Sequence, residues 1–251
     1  MLHQFSRTEL AIGPEGLEIM KNSTVAVLGI GGVGSIAVEA LARTGVGRII
    51  LIDKDVVDIT NINRQIHALT TTIGQKKADL MVERVKLINP DIDAIALNMF
   101  YTEETYQELF KYELDYVLDA SDTVSYKIHL IKECLNRKIP IISSMGAANK
   151  MDPTKFQVAD ISKTTMDPIA RVIRTKLRKD GIKKGVKVVF STEEPIKPRV
   201  DVTEKIVPEN APEIRKAKQP PASNAYVPPV VGLIMVSVAV KDLLAKAEIQ
   251  V

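Results

Sequence analysis

Hydrophobic residues in the first half of the chain alternate between short continuous runs and longer segments with helical spacing. An apolar, β-rich run at residues 24–29 ends in glycine, and a small-residue helical pattern follows at once at residues 33–44. A second buried run at residues 48–53 completes a strand–helix–strand unit of about 30 residues, as a parallel crossover requires. The pattern therefore predicts two parallel strands joined by a helix.

The same alternation continues toward residue 147. The further predicted helices are 76–89, 103–110 and 127–137, and the further predicted strands are 92–99, 116–119 and 139–143. Helices that alternate with short apolar strands are typical of an open, doubly wound parallel sheet with helices on both faces. The predicted fold class is therefore α/β.

The alternation stops near Ala147, and residues 150–222 are polar, basic and rich in proline, with one predicted helix at 168–179 and one strand at 186–191. We interpret this stretch as an insertion and not as a second core. Six prolines between Pro195 and Ser223 favour a mobile loop. The chain is predicted to be one domain with three parts: a core at 1–150, a basic insertion and loop at 151–222, and a C-terminal helix at 223–251.

The C-terminal helix is predicted from the apolar run Val230–Val240, which Pro228 and Pro229 precede. This run is shorter than the roughly 18 to 20 residues that cross a bilayer. It therefore indicates a helix that returns to the core or to a dimer interface, and membrane contact is not expected.

Composition excludes several classes of protein. A chain of 251 residues with 45% hydrophobic and 26% charged residues has ordinary globular values, so disorder over most of it is not expected. The single cysteine, Cys134, excludes a disulfide framework and any zinc site built on two thiolates, and the three histidines are too scattered for another metal cage. Residues 1–12 lack the uninterrupted apolar stretch of a secretory signal. We expect a cytoplasmic protein.

The net charge of +3 conceals an uneven distribution. Residues 1–150 carry 16 Lys and Arg against 19 Asp and Glu, whereas residues 151–251 carry 18 against 12. Residues 171–187 alone hold eight basic side chains and one acidic one, a density that would attract a polyanion such as nucleic acid. A solvated surface face is the alternative interpretation of this run.

A glycine-rich turn joins the first predicted strand to its helix. Residues 29–35 read Gly-Ile-Gly-Gly-Val-Gly-Ser, which places Gly29, Gly31, Gly32 and Gly34 in a G-x-G-x-x-G pattern where backbone N–H groups and the helix dipole bind phosphate. Asp53 ends the next strand, where an acidic residue commonly takes the ribose hydroxyls. These features predict a Rossmann-like site for NAD, FAD or ATP without choosing among them.

The polar residues that follow Asp53 favour a nucleoside triphosphate. They are Asp55, Asn61, Asn63, Arg64, Gln65, Lys77 and Asp122. A dehydrogenase has no need for an Asn, an Arg and a Lys there, whereas a triphosphate binds fixed cations and a nearby carboxylate can hold Mg²⁺. Asp55 is also consistent with a simple turn cap, Lys77 with an ordinary first-turn lysine, and Asp122 with a helix N-cap.

Together these residues resemble the ubiquitin-activating-like (ThiF/MoeB/HesA) adenylating superfamily, over roughly residues 5–150. The resemblance implies that the glycine loop cradles ATP, that Asp53 binds ribose, and that Arg64 and Lys77 contact the phosphates. It also implies that Asp122 assists Mg²⁺. Arg7 matches an arginine that reaches into the ATP site of a partner subunit, so the resemblance implies a homodimer and a catalytic set of Arg64, Lys77, Asp122 and Arg7.

Two departures narrow the resemblance. Sulfur-carrier activators usually have paired Cys-x-x-Cys zinc motifs and ubiquitin activators a nucleophilic cysteine, whereas Cys134 lies on the apolar face of a predicted helix and is interpreted as a core residue. An adenylating sequence without those cysteines and with a basic insertion resembles one branch, the tRNA threonylcarbamoyladenosine dehydratases. Likeness at residues 143–149, 167–178 and 189–193 extends this resemblance over most of the chain.

This branch implies an ATP-dependent enzyme that modifies tRNA. The threonine carboxylate of a modified adenosine beside the anticodon would become an acyl-adenylate, and the neighbouring ureido group would then close a five-membered ring. An intramolecular nucleophile has a high effective concentration, so no covalent cysteine relay is needed. The candidate tRNA-binding residues are Arg171, Arg174, Lys176, Arg178, Lys179, Lys183 and Lys184.

Two other functions stay open at this point. A sulfur-carrier activator that has lost its zinc would adenylate the C-terminus of a small carrier or ubiquitin-like protein. An NAD-dependent oxidoreductase or a nucleotide-sensing module would use the glycine loop without adenylation. The sequence also leaves open whether a sulfur-transfer protein takes part.

Overall fold

A seven-stranded sheet forms the centre of the computed structural model, which describes residues 2–199 and 221–249. The strands are β1 (Thr24–Leu28), β2 (Arg48–Ile52), β3 (Asp93–Leu97), β4 (Tyr116–Asp119), β5 (Ile141–Ser144), β6 (Phe156–Asp160) and β7 (Lys187–Ser191). The α-helices are α1 (Ser6–Asn22), α2 (Gly34–Thr44), α3 (Lys77–Ile88), α4 (Val124–Arg137), α5 (Pro168–Lys179) and α6 (Val227–Lys246). Short 3₁₀ helices cover Ile59–Asn61, Tyr106–Lys111, Pro153–Lys155 and Ile161–Lys163.

The strand order creates a crevice at one edge of the sheet. Across the sheet the order is β3-β2-β1-β4-β5-β7-β6, and all neighbours are parallel except β6 and β7. From β1 the chain moves to β2 and β3 on one side and then returns to β4 and β5 on the other. Ligands of doubly wound sheets bind outside the carboxyl ends of the strands at such a reversal. The loops after β1 and β4 therefore flank the expected site.

Helices cover both faces of the sheet. Val25 and Val27 of β1 belong to the hydrophobic cluster under α2, α3 and α6, whereas Ala26 and Leu28 belong to the cluster under α4 and α5. All residues of β1 are buried, as expected for a parallel strand covered on both sides. The predicted α/β, doubly wound fold class is confirmed.

Most predicted elements are present within a few residues of their predicted bounds, but the helix predicted over residues 103–110 is wrong. Only the 3₁₀ helix Tyr106–Lys111 lies there. The Thr105 hydroxyl donates to the Phe100 carbonyl and accepts a hydrogen bond from the Thr102 N–H, and such side-chain turns compete with helical hydrogen bonds. The sequence pattern also misses α1, whose regularity Gly13 interrupts with a φ of 74°.

The described part of the predicted insertion adds to the same sheet. β7 pairs in parallel with β5, and β6, which the sequence does not predict, pairs antiparallel with β7. Most of the loop predicted between Pro195 and Ser223 lies outside the described residues. The three-part division of the chain stays a prediction.

The C-terminal helix is longer than the apolar run Val230–Val240 from which it is predicted. α6 has 20 residues, so the expectation that it is too short to cross a bilayer is wrong. Within the described residues it is the one helix long and apolar enough to do so, and half of its most apolar stretch is buried inside the protein. α6 packs against α2, β4 and β5, as a core helix does.

The contact between α6 and α2 depends on Gly232. A Cβ at this position would lie 2.3 Å from the Val33 carbonyl oxygen and 3.2 Å from the Ala37 nitrogen. The helix backbones approach so closely because no side chain separates them. At Gly146, by contrast, an added Cβ would meet nothing nearer than 3.5 Å.

We predict that Gly232→Ala lowers the free energy of unfolding by about 1–3 kcal/mol, because the added methyl forces α6 away from α2. Urea denaturation of the purified variant measures this loss. Gly146→Ala is the matched control and is expected to change the free energy of unfolding much less. Equal stability of the two variants would contradict the observed helix contact.

Candidate nucleotide-binding site

The glycine loop between β1 and α2 leaves no room for side chains at two positions. Gly29 has a φ of 86°, and a Cβ there would lie 2.9 Å from the backbone of Ala120 and Ser121. A Cβ on Gly34 would lie 1.8 Å from the Gly29 carbonyl oxygen. Only glycine fits this close approach. The loop after β1 is thereby pressed against the loop after β4.

Gly31 and Gly32 lie where other parts of the chain meet the loop. A Cβ on Gly32 would lie 3.0 Å from Pro228 of α6 and 3.2 Å from the Arg64 side chain, and one on Gly31 would lie 3.9 Å from the Gln65 amide nitrogen. The glycine loop is therefore bounded by the start of α6 and by the segment that carries Arg64.

Asp53 follows β2 and contacts the glycine loop directly. One carboxylate oxygen accepts a 2.6 Å hydrogen bond from the Ile30 N–H, and the other accepts a 2.8 Å bond from the Asp55 N–H. Burial raises the pKa of Asp53, and the bonds to these N–H groups only partly oppose the shift. In addition to the predicted ribose contact, which stays a prediction, Asp53 fixes the loop that would hold phosphate.

Lys77 is held beside Asp55. It begins α3, its side chain is 8% exposed, and its ammonium group lies 3.4 Å from a carboxylate oxygen of Asp55. Burial alone would raise the pKa of Asp55, but the bond from Lys54 and the charges of Lys54 and Lys77 outweigh it and lower the pKa. A buried lysine with a carboxylate partner is not an ordinary first-turn lysine, because most lysines are exposed.

The residues from Asn61 to Gln65 differ in their burial and in their hydrogen-bond partners. Asn61 is buried and caps the 3₁₀ helix by accepting from the Asp58 N–H, whereas Gln65 is buried with no partner for its Oε1 within the described chain. The Arg64 guanidinium donates 2.9 Å bonds to the Thr60 carbonyl and to Asn63 Oδ1. Burial lowers the pKa of Arg64. Arg64 is thus fixed against the glycine loop.

Asp122 lies exposed in the loop after β4. Thr123, and not Asp122, is the N-cap residue of α4, so the N-cap interpretation of Asp122 is wrong. The Asp122 carboxylate accepts a 3.3 Å bond from the Thr123 hydroxyl. One exposed carboxylate beside a phosphate-binding loop fits Mg²⁺, which binds through one or two carboxylates together with substrate phosphates. The described residues contain no cluster of three metal-ligating side chains.

A buried ion pair that the sequence pattern does not predict supports this loop. The Lys127 ammonium lies 3.0 Å from Asp119 Oδ2, and both side chains are almost fully buried. Ser143 Oγ donates to the same carboxylate oxygen at 2.6 Å, and the Ser121 hydroxyl and N–H donate to Oδ1. The only signal in the sequence was an aspartate at the end of a strand.

Arg7 lies away from the glycine loop of its own chain. It is exposed in the first turn of α1. Phe5, two residues earlier, packs near Gly45 just before β2, since its ring would lie 3.6 Å from a Cβ on Gly45. Gly45 is at the amino edge of the sheet, and the glycine loop is at the carboxyl edge. A five-residue strand spans about 16 Å. The chain therefore does not bring Arg7 to its own glycine loop.

Most of the predicted tRNA-binding residues form an exposed basic surface. Arg171, Lys176, Arg178 and Lys179 on α5 are exposed, as are Lys183 and Lys184 after it. Arg174 differs, because its guanidinium donates to the carbonyl and hydroxyl oxygens of Thr164. α5 begins at the carboxyl edge, where Asp167 accepts from the Gly146 N–H, and leads toward the amino edge. Only the start of this surface lies on the side of the site.

Comparison with known proteins identifies the family. The model of the ThiF family matches residues 5–251. The chain belongs to the ThiF family. It is 68% identical over 250 residues to the tRNA threonylcarbamoyladenosine dehydratase of Bacillus subtilis, an alignment that covers 100% of this chain and 98% of the relative. The predicted resemblance to the dehydratase branch is confirmed.

Solved structures of ThiF-family relatives agree with this assignment. The structure of Escherichia coli tRNA N6-threonylcarbamoyladenosine dehydratase in complex with ATP is 38% identical with a TM-score of 0.87, and the match covers 99% of this chain and 96% of that one.

The molybdopterin-synthase adenylyltransferase of Escherichia coli is 35% identical over 138 residues, or 55% of this chain and 54% of that protein. Likeness to that adenylyltransferase is confined to part of the ThiF fold.

Cys134 is fully buried in the core of this ThiF-family protein, and burial raises the pKa of its thiol. The prediction that it is a packed core residue is confirmed. Thiolates and not thiols are nucleophilic, so a buried thiol with a raised pKa is inert.

His67 is an unusual group near Lys77. It is 4% exposed, and neither ring nitrogen has a partner within the described residues. Burial, followed by the charges of Lys77 and Arg84, lowers the pKa of His67 to about 4. The unfolded chain therefore binds a proton at this histidine below about pH 6.5, whereas the folded chain does not until about pH 4.

We predict that lowering the pH from 7 to 5 decreases the free energy of unfolding by about 1–2 kcal/mol through His67, because the unfolded state alone gains a proton. His67→Leu should remove this part of the pH dependence in urea denaturation at the two pH values. His3→Gln, at an exposed histidine whose Nε2 lies 3.1 Å from Glu9, is the control for loss of a surface histidine, and the pH dependence through His67 should persist in it. The same slope in His67→Leu as in the parent chain would contradict the prediction.

Proposed function

We propose that the chain is an ATP-dependent enzyme that dehydrates threonylcarbamoyladenosine in the anticodon loop of tRNA through an acyl-adenylate. The observation that carries this proposal is that Asp53 and Arg64 lie beside the glycine loop while the only cysteine of the chain, Cys134, is buried in the core. An adenylating enzyme without an accessible thiol does not hold its activated carboxylate as a thioester, so the nucleophile comes from the substrate or from a partner. The ureido group beside the threonine carboxylate is such a nucleophile.

Adenylation is needed because the oxygen of a free carboxylate is a poor leaving group. The carboxylate oxygen attacks the α-phosphorus of ATP, and pyrophosphate leaves. Lys77 and Arg64 offset the charge that develops on the phosphates, and the glycine loop supplies N–H donors to them. Mg²⁺, held through Asp122, would supply further charge compensation on the phosphate oxygens.

Ring closure releases the second leaving group. The ureido group attacks the activated carbonyl carbon, a proton is lost, and AMP departs with the carboxylate oxygen. The net change is the loss of water from the modified nucleoside at the expense of one ATP. Because both reacting groups belong to one residue, their effective concentration reaches about 10⁵ M or more, and no covalent relay through the enzyme is required.

A homodimer is part of this proposal. Support comes from Arg7, which is exposed on α1 away from the glycine loop of its own chain and is thus free to enter a partner's site. A cytoplasmic location, with its reducing conditions, is consistent with the unpaired Cys134. A sulfur-transfer protein remains a further proposed partner.

Pyrophosphate exchange tests the function directly. Labelled pyrophosphate should enter ATP only when tRNA carrying threonylcarbamoyladenosine is present, because the carboxylate of that nucleoside is the group that is adenylated. The product nucleoside, lighter by one water, is then measured by mass spectrometry. Stimulation by a Gly-Gly carrier protein and not by modified tRNA would support the sulfur-carrier alternative, and binding of NAD but not ATP would support an oxidoreductase.

We predict that Lys77→Ala and Arg64→Ala each lower kcat at least 100-fold, because each removes a charge that stabilises the transition state more than the ground state. Turnover of modified tRNA under saturating ATP measures the effect, with circular dichroism as the check on folding. Lys76→Ala, at the exposed neighbouring lysine, is the matched control for lost charge. Full activity of folded Lys77→Ala or Arg64→Ala would defeat the assignment.

Cys134→Ser separates the proposed route from a covalent one. The variant should lose stability through poorer core packing but keep its chemistry. Complete loss of turnover in folded Cys134→Ser protein would restore the covalent mechanism.

The basic surface on α5 is proposed to bind tRNA phosphates. Charge reversal at Arg171, Arg178 and Lys183 should weaken tRNA binding without changing ATP affinity, because the three side chains are exposed and lie outside the glycine loop. The plot of log affinity against log salt should become shallower, since fewer counterions are released. Filter binding of tRNA across a salt series measures both slopes. Equal slopes for the parent chain and the charge-reversal variant would mean that this surface faces solvent and does not bind tRNA.

A further inference from the structure

Exposed aromatic rings are rare in this protein. The chain has five phenylalanines and six tyrosines, all within the described residues, and only Phe100 and Tyr226 are exposed. The ammonium of Lys54 lies over the ring of Phe100, 4.1 Å from the ring centre. Tyr226 is 45% exposed at the start of α6, and its neighbour Met151 is 50% exposed. The side chains of Tyr226 and Met151 thus lie side by side and are both exposed to solvent.

Polar contacts hold the two side chains in place. Asn224 Nδ2 donates to the Lys150 carbonyl at 2.9 Å and lies 3.7 Å from the Met151 sulfur. Asn224 Oδ1 accepts from the Tyr226 N–H, and the Tyr226 hydroxyl lies 4.0 Å from the same sulfur. The ring and the thioether are therefore fixed relative to each other without being buried.

The pair lies at the rim of the nucleotide site. Pro228, two residues after Tyr226, would lie 3.0 Å from a Cβ on Gly32. Three residues before Tyr226, the Ser223 carbonyl accepts a 3.1 Å bond from Asn63, which is the neighbour of Arg64. The loop after β5 that carries Met151 also contacts the start of α5, through the bond from Gly146 to Asp167. Tyr226 thus lies near the glycine loop, and the loop that carries Met151 leads back to the start of the basic surface.

An aromatic ring with an adjacent thioether suits the flat face of a nucleobase. Bases of single-stranded RNA loops are recognised by stacking on aromatic side chains, and methionine packs adaptably against aromatic rings. A protein–protein contact would also cover apolar side chains. The position near a phosphate-binding loop, with the loop of Met151 leading to exposed cations, favours a ligand that carries both bases and phosphates.

We propose that Tyr226 and Met151 form a platform on which a base of the anticodon loop stacks while its modified neighbour enters the nucleotide site. This inference rests on the proposed function, because it takes the substrate to be a tRNA loop. It assigns Tyr226 and Met151 to substrate binding, and not to ATP binding or to the chemical step.

The test uses the full-length protein and an anticodon stem-loop RNA that carries threonylcarbamoyladenosine. Tyr226→Ala should weaken RNA binding and raise KM for the RNA about ten-fold or more, the usual effect of losing one stacked base, with ATP affinity unchanged. Tyr226→Phe should restore binding, since it keeps the ring, whereas Tyr226→Leu should not. With 2-aminopurine beside the modified adenosine, the parent chain should quench its fluorescence and Tyr226→Ala should not.

Leu233→Ala is the matched control, because Leu233 is exposed to 49% on the same helix but carries no aromatic ring and lies seven residues after Tyr226. Normal RNA affinity in Leu233→Ala beside a loss in Tyr226→Ala supports the platform. Unchanged RNA affinity in both Tyr226→Ala and Tyr226→Leu, with normal turnover in the parent chain, overturns the platform alone. No turnover of modified RNA by the parent chain overturns the proposed function and the platform together.

Two further outcomes would assign Tyr226 elsewhere. A loss of ATP affinity in Tyr226→Ala would mean that the adenine of ATP uses the ring, which overturns the platform. Dissociation of a dimer by both Tyr226→Ala and Leu233→Ala in analytical ultracentrifugation, with RNA affinity falling equally in both, would mean that Tyr226 belongs to a subunit interface.

Discussion

The close contact between the loop after β1 and the loop after β4 determines the geometry of the whole site. Gly29 and Gly34 permit it, because a Cβ at either position would overlap backbone atoms. The contact brings the N–H groups of the glycine loop beside the segment that carries Asp122. Asp53 fixes the same loop from the β2 side through the Ile30 N–H. The loops after three strands thus meet at one site, where glycines permit the contact between the loops after β1 and β4 and the Asp53 carboxylate makes the contact from β2.

The buried charges beneath the site have a structural cost that the surrounding bonds offset. An ion pair out of water is stabilising only when its remaining hydrogen-bonding capacity is satisfied. For Asp119 this condition is met, because Lys127, Ser143 and Ser121 all bond to its carboxylate. The rigidity of the loop after β4 follows from this network, since Ser121 lies next to Asp122. A rigid support is what electrostatic catalysis needs, because groups that reorganise during the reaction stabilise charge less well.

The parts of the fold that could be predicted from the sequence are those encoded in local patterns. Strand β1, the glycine loop and α2 are contiguous and periodic, so their prediction needed no tertiary information. The turn at Thr105 was missed because one hydroxyl overrides helix periodicity. Within the site, the glycine loop and Asp53 could be predicted because the carboxyl ends of parallel strands lie at the same edge of the sheet. The bond from Arg174 to Thr164 and the contact of Pro228 with Gly32 depend on packing between distant segments, which no local pattern records.

The contact of α6 with the glycine loop has a consequence for folding of the chain. Pro228 and Gly232 of α6 pack against the glycine loop and α2, which lie far earlier in the sequence. Until α6 docks, the apolar face of α2 has no cover and Asn63 has no Ser223 carbonyl to bond, a contact that spans 160 residues. Closing such a long loop is slow relative to local folding, and an uncovered apolar face promotes aggregation. The phosphate site is therefore completed only when α6 docks, which couples the appearance of ATP-binding capacity to a late, long-range step of folding.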